Sequence, residues 1–289
     1  SKVSRRFKRK ILTLILFVWG GGLVFNIANV FDSIIIGAVI PNGMAGVAIF
    51  SLAQNIGSLV QAPQRGILSA SIGPLSQAWK DKDLSRIDRI YHRSSINLLI
   101  FSCVMFALIW LNFEDGVHTF KLRPIYLEAK YIFLFIGLAR IIDLGTGVNA
   151  QIISTSTFWR FEFLSGMVLL GFSLPLNYIL TREMGLIGPA ISNLIAFTIY
   201  NAIRYYFLLR KFQMQPFTFK SLYTVLLATV SYVICYWLFD SQLGLQWIII
   251  RSSLFVTLFG TGMILLKLSP DVTPVYLTII DRLGLRKES

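Results

Sequence analysis

The chain has 289 residues, 55% of them hydrophobic and only 14% charged, with a formal net charge of +13. A soluble domain carries about a quarter charged residues, so this composition excludes an ordinary soluble globule and indicates a polytopic membrane protein. Cys103 and Cys235 lie far apart in apolar runs and read as buried thiols without a disulfide framework. His92 and His118 lack metal-ligand spacing, and no metal site or cofactor is expected.

In chain order, apolar segments able to span a bilayer, which takes about 20 residues, fall at 11–39, 44–79, 86–112, 125–156, 160–180, 185–212, 218–239 and 245–268. The reading is all-α, with about eight transmembrane helices. The first follows a basic stretch, has no small-residue cleavage site, and is too long for a signal-peptide core. The second is the longest, and Pro63 marks its expected kink. Short polar breaks separate the segments: PNG at 41–43, KDKD at 80–83, FEDG at 113–116, FWRFE at 158–162, TREMG at 181–185, QMQP at 213–216 and DSQLG at 240–244. The tail at 269–289 places Tyr276, Ile279, Ile280 and Leu283 on one helical face, which predicts a helix lying on the inner leaflet.

Basic residues alternate with the breaks. Twenty Lys and Arg cluster at the N-terminus, around residues 80–93, at Arg160, at 204–220 and after 267. The alternate breaks hold only Lys121, Arg123 and Arg182. This positive-inside pattern predicts that both termini are cytoplasmic, and it accounts for the excess charge without nucleic acid as a partner.

Four basic residues remain: Arg65, Lys130, Arg140 and Arg251. Lys130 and Arg251 fall near outer helix ends and are expected to snorkel. Arg65, Arg140 and Asp143 are too deep for that. At about 100° per residue, Arg140, Asp143, Gly147 and Gln151 share one face of the fourth segment, with Asn149 facing away. The second segment carries Gln54, Ser58, Gln61, Arg65, Ser69 and Ser76 on one face, and the first adds Asn26, Asn29, Asp32 and Ser33. A charge at the bilayer centre costs about 2.5–3.5 kcal/mol on insertion scales. One solution is structural, an ion pair of Arg140 with Asp143 or of Asp32 with Arg65. The length of the polar stripes exceeds what one such bond requires and predicts a hydrated cavity suited to an anionic, hydroxyl-rich cargo. No catalytic residues are expected, because there is no nucleophile beside a base, no glycine loop before a helix and no carboxylate pair in a loop.

Several stretches together carry a family resemblance: IANVFDSIIIGAVI, SLAQNIGSLVQAPQRGILSASIGPLSQAWKDKD, GVNAQIISTSTFWRFEF and the GLIGPA turn within NYILTREMGLIGPAISNLIAFTIYNAIRYYFLLRKF. They resemble the multidrug/oligosaccharidyl-lipid/polysaccharide (MOP) exporter superfamily, and within it the polysaccharide-biosynthesis and O-antigen-type flippases. The resemblance implies two six-helix lobes around a cavity that opens alternately to either side. Residues 1–212 then correspond to the C-terminal lobe, 213–268 to two additional helices, and 269–289 to a cytoplasmic tail. Because the chain begins at Ser1, the N-terminal lobe is expected upstream in a parent chain, as the partner that completes the cavity.

The implied activity is translocation of a lipid-linked oligosaccharide across the bacterial inner membrane, as in polysaccharide or lipopolysaccharide assembly. Arg65 and Arg140 would take the phosphate head, and Gln54, Gln61, Gln151 and Asn29 the glycan. Asp32 and Asp143 would tune the arginines or carry a coupling ion. The alternatives are a cation-coupled multidrug exporter of the same superfamily, a membrane polysaccharide polymerase or ligase, and a purely structural membrane subunit.

Overall fold

A computed structural model describes residues 5–239 and 242–271. For a number of residues early in the first helix, Asn29 among them, only the backbone is described, and the expected interfacial helix lies outside the described residues. Every regular element among the described residues is helical: α1 (Arg5–Val39), α2 (Gly43–Val60), α3 (Gln64–Lys80), α4 (Leu84–Thr119), α5 (Ala129–Gly145), α6 (Asn149–Thr155), α7 (Trp159–Met184), α8 (Gly188–Phe212), α9 (Phe219–Phe239) and α10 (Leu245–Leu265), with short 3-10 turns at Pro124–Glu128 and Gly185–Ile187.

Length and apolar composition identify five stretches able to cross a bilayer: Gly43–Val60, Leu84–Thr119, Trp159–Phe212, Phe219–Phe239 and Leu245–Leu265. A sixth is the pair Pro124–Gly145 and Asn149–Thr155, bent by 48°. The protein is therefore an all-α polytopic membrane protein. The eight expected segments differ from this count in two places. The described apolar part of α1 is only Val30–Val39, and Trp159–Phe212 is one 54-residue stretch holding two helices.

Those two helices, α7 and α8, fold back on each other. Glu162 meets Arg204, Ser173 meets Ser192, and Leu180 lies against Gly188, an antiparallel register throughout. The GLIGPA turn makes this possible. Gly185 has φ +65°, and a Cβ on Gly188 would stand 2.2 Å from the Leu180 carbonyl oxygen. Only glycine allows both the left-handed turn and that approach.

Helix α4 is the spine of the bundle. Its 36 residues span about 54 Å at 1.5 Å per residue, and its buried side chains enter three apolar cores. Leu98 joins Phe50, Ile132, Phe133 and Leu144 of α2 and α5. Ile87 and Tyr91 pack with Leu75, Ile152, Ile153 and Leu208 of α3, α6 and α8. Leu99, Cys103, Ala107 and Leu111 pack with Ala228, Cys235, Phe255 and Phe259 of α9 and α10. Both cysteines are buried and free, as expected. The α9–α10 pair rests mainly on α4, outside the ring formed by the other helices.

Two of the expected helices are broken. The second ends at Val60 and restarts at Gln64 after Pro63. The fourth ends at Gly145 and restarts at Asn149. The second break depends on α4: Ser95 Oγ donates to the Gly145 carbonyl, and the Val148 amide donates to Ser94 Oγ. These hydroxyls satisfy backbone groups that an unbroken helix would have satisfied itself.

Candidate functional site

Both breaks open into one cavity of about 790 Å³, walled by α1 to α3 and α5 to α8. Non-helical backbone at membrane depth is tolerated where it is buried in protein or lines a wet cavity, and these breaks obey that rule. Gln54, Gln61, Arg65, Arg140, Asp143 and Gln151 all line the cavity, as the polar stripes predict. Ser58, Ser69 and Ser76 do not. The side chain of Asn29 lies outside the described residues. Asn149 was expected to face away, but it lines the cavity because the break turns α6 relative to α5.

The two aspartates are held by amides. Asp143 accepts from Gln64 Nε2 and Asn201 Nδ2, each at 3.0 Å. Asn201 Oδ1 in turn accepts from Thr146 Oγ1 at 2.9 Å and from Asn149 Nδ2 at 3.0 Å. One carboxylate thus ties the start of α3, the α5–α6 break and α8 together. Asp32 is 2% exposed. It accepts from Asn193 Nδ2 at 2.8 Å, from Gln54 Nε2 at 3.4 Å and from Asn177 Nδ2. It sits behind the cavity wall rather than on it.

This arrangement corrects the two structural ion pairs that the sequence allows. Among the described residues, neither Arg140–Asp143 nor Asp32–Arg65 forms. Arg140 instead lies over the Phe197 ring at 5.3 Å, within the electrostatic reach of both aspartates. Arg65 is exposed on the cavity side of α3. The Gln151 amide oxygen is buried on the same wall without a hydrogen-bond partner among the described residues.

Two further expectations fail. Arg251 does not snorkel: it is buried, pairs with Asp115 at 2.7 Å, and donates to the carbonyls of Leu111, Phe239 and Gln242 at 2.9–3.0 Å. Its helix packs against α4, where Asp115 holds the guanidinium. Arg204, counted above with the loop charges, lies inside the protein on the cavity wall, paired with Glu162. Lys130 is half-buried, with Glu114 at 2.6 Å and the Trp110 ring at 4.9 Å.

Sequence pattern alone does not single out Glu162, Tyr200 or Arg204. The available signal is the Tyr200–Arg204 spacing of four, which puts both on one face of α8. Tertiary packing brings Glu162 to them. Phe161 stacks on Phe207 at 4.0 Å, Phe158 meets the same ring at 5.6 Å, and Trp79 packs on Phe212 at 5.0 Å while donating to the Ile152 carbonyl. This aromatic cluster fixes the first turn of α7 against α8.

The described residues thus form an all-helical membrane bundle with two broken helices around an amide- and arginine-lined cavity. The chain belongs to the MatE family, whose sequence model matches residues 21–181. Three solved structures share the fold. The lipid II flippase MurJ in its inward closed conformation has a TM-score of 0.70 at 16% identity, covering 92% of this chain and 57% of that one. A MATE protein in complex with MaD5 has a TM-score of 0.55 at 15% identity, covering 84% and 60%. An outward-facing multidrug resistance MATE family transporter of the MOP superfamily has a TM-score of 0.53 at 14% identity, covering 84% and 62%. The chain thus spans about three-fifths of the length of these structures. No curated protein matches the sequence.

Proposed function

We propose that this chain forms the C-terminal lobe and two accessory helices of a flippase that moves a lipid-linked, anionic oligosaccharide across the bacterial cytoplasmic membrane by alternating access. The observation that carries the reading is that Arg65 and Arg140 line the cavity with no bonded carboxylate among the described residues, amid the amides of Gln54, Gln61, Gln64, Asn149 and Gln151. Planar guanidinium groups grip phosphate oxygens in pairs, and amides offer donors and acceptors to sugar hydroxyls. MurJ, which shares the fold, is a lipid II flippase.

A cationic drug would need an available carboxylate. The charge of Glu162 is cancelled by Arg204, and that of Asp143, which its two neutral amides leave uncancelled, lies in the field of Arg140. Asp32, enclosed by three amides, is the residue placed to carry a coupling proton or cation. Transport belongs to the cavity completed by a matching lobe, with both chain termini on the cytoplasmic side.

The test uses the complete protein in a flippase-deficient strain. Arg140→Ala abolishes surface polysaccharide while the protein still accumulates in the membrane. Arg140→Lys, which keeps charge but loses the planar fork, retains part of the export. The double change Arg140→Ala with Asp143→Ala does not restore it. Near-normal export by that double mutant would make the arginine structural and remove it from the cargo site.

A further inference from the structure

A third arginine stands on the cavity wall, and its charge is cancelled where it stands. Arg204 grips Glu162 with both arms of its fork: Nε lies 2.9 Å from Oε2, and Nη2 bonds Oε1. The guanidinium also lies 3.6 Å from the Tyr200 ring centroid, and the Tyr200 hydroxyl donates to Glu162 at 3.1 Å. All three residues line the cavity, with the Glu162 side chain 19% exposed and that of Arg204 8%. With Nε and one Nη2 hydrogen on Glu162 and the other Nη2 hydrogen on the Tyr200 hydroxyl, only Nη1 is left, and no matching pair of donors remains for phosphate oxygens. Arg65 and Arg140 keep theirs.

We propose that Glu162 sets the anion capacity of the cavity. It withholds Arg204 from cargo, so that the wall presents one subsite at Arg65 and Arg140, suited to a single anionic head, rather than a three-arginine trap. A translocating site must bind well enough to load and weakly enough to release. A third uncancelled cation in a poorly screened cavity would oppose release. This inference rests on reading the cavity as an anion site.

Charge reversal of effect is the signature to seek. Glu162→Gln keeps size and an acceptor oxygen but uncovers Arg204. Arg204→Gln uncovers Glu162. In the complete protein in detergent, the Kd for inorganic pyrophosphate, read by titration calorimetry, is expected to tighten about tenfold in the first variant and weaken by a similar factor in the second. The double variant returns to within about twofold of the parent. A pair that merely fastens α7 to α8 cannot give single changes of opposite sign that cancel. If Glu162→Gln fails to accumulate, Arg204→Gln and the double variant still decide, by weakening and then recovery. Pyrophosphate binding that Arg140→Ala removes but the Glu162 and Arg204 variants leave unmoved would overturn this inference alone. Shifts of equal sign would do the same. Absence of pyrophosphate binding in both the parent and Glu162→Gln would overturn it together with the anion-site reading.

Discussion

Arg140 and Arg251 are the same residue type in equally apolar surroundings, yet the two regions treat them oppositely. In the α4–α9–α10 unit, Arg251 has an aspartate and three carbonyls, the helices around it are continuous, and only its Nε is left without a hydrogen-bond partner among the described residues. Around the cavity, Arg140 has an aromatic face and, among the described residues, no bonded carboxylate, while the aspartates nearby are held by neutral amides. A buried cation that spends most of its donors on its own protein stabilises packing. One whose neighbours find other partners is left available for cargo. The helix breaks follow the same division, since both open on the cavity and none interrupts α9 or α10.

The largest effect expected from this contrast is on stability at Arg251. Arg251→Ala leaves Asp115 buried and unpaired and should cost about 3–5 kcal/mol, seen as lost membrane accumulation and a lower unfolding temperature in detergent. Arg251→Leu with Asp115→Leu recovers part of this, because the Phe239 and Gln242 carbonyls still lose their donor. If Arg251→Ala were as stable as Arg140→Ala, the bonded aspartate and carbonyls would not distinguish the two sites.

Glycines sharpen the comparison. Gly147, in the cavity-side break, has φ +65°, and a Cβ there would meet Ser94 Oγ and the Ser95 backbone nitrogen at 2.8 Å. Gly147→Ala is expected to cost about 2–4 kcal/mol from left-handed strain and overpacking. Gly260 on α10 has open space around it. Gly260→Ala should be neutral or stabilise by up to about 1 kcal/mol through helix propensity. Thermal unfolding of the two variants side by side checks both signs.

The smallest effect concerns how α10 is tied back to α4. Asp271 accepts from Arg93 Nε at 2.7 Å and from Asn97 Nδ2 at 2.6 Å. The Arg93 hydrogen bond, with Asn97 adding to it, holds the Asp271 carboxyl below its ordinary value. A depressed carboxylate contributes stability above its unfolded pKa and loses it as pH falls through the folded one. Both partners are substantially solvent-exposed, so Asp271→Asn should cost less than about 1 kcal/mol at neutral pH. The gap between variant and parent should hold from pH 7 to about pH 5 and close below pH 4. A gap that widens on acidification would contradict the assignment.

The sequence by itself determined the class of fold and much of the cavity wall. Composition excludes a soluble globule, and helical periodicity groups Gln54 with Gln61 and Arg140 with Asp143, because residues on one helix face stay neighbours; Arg65 and Gln151 lie beyond the breaks and still line the cavity. Pro63 marks one break, since a prolyl ring removes a helical hydrogen bond and crowds the preceding turn, although α3 and α7 run on past Pro74 and Pro175. The second break was not legible: Thr146, Gly147 and Val148 fit a helical stripe, and it is Ser94 and Ser95, some 50 residues earlier, that satisfy the broken backbone. Charge partnership was equally hidden. Asp143 meets Gln64 across 79 residues, Asp32 meets Asn177 across 145, and Glu162 meets Arg204 across 42. Each partner is chosen by which helices lie side by side and at what height. Only the packed bundle decides, therefore, that Arg251 and Arg204 are neutralised while Arg140 and Arg65 are left without a carboxylate of their own.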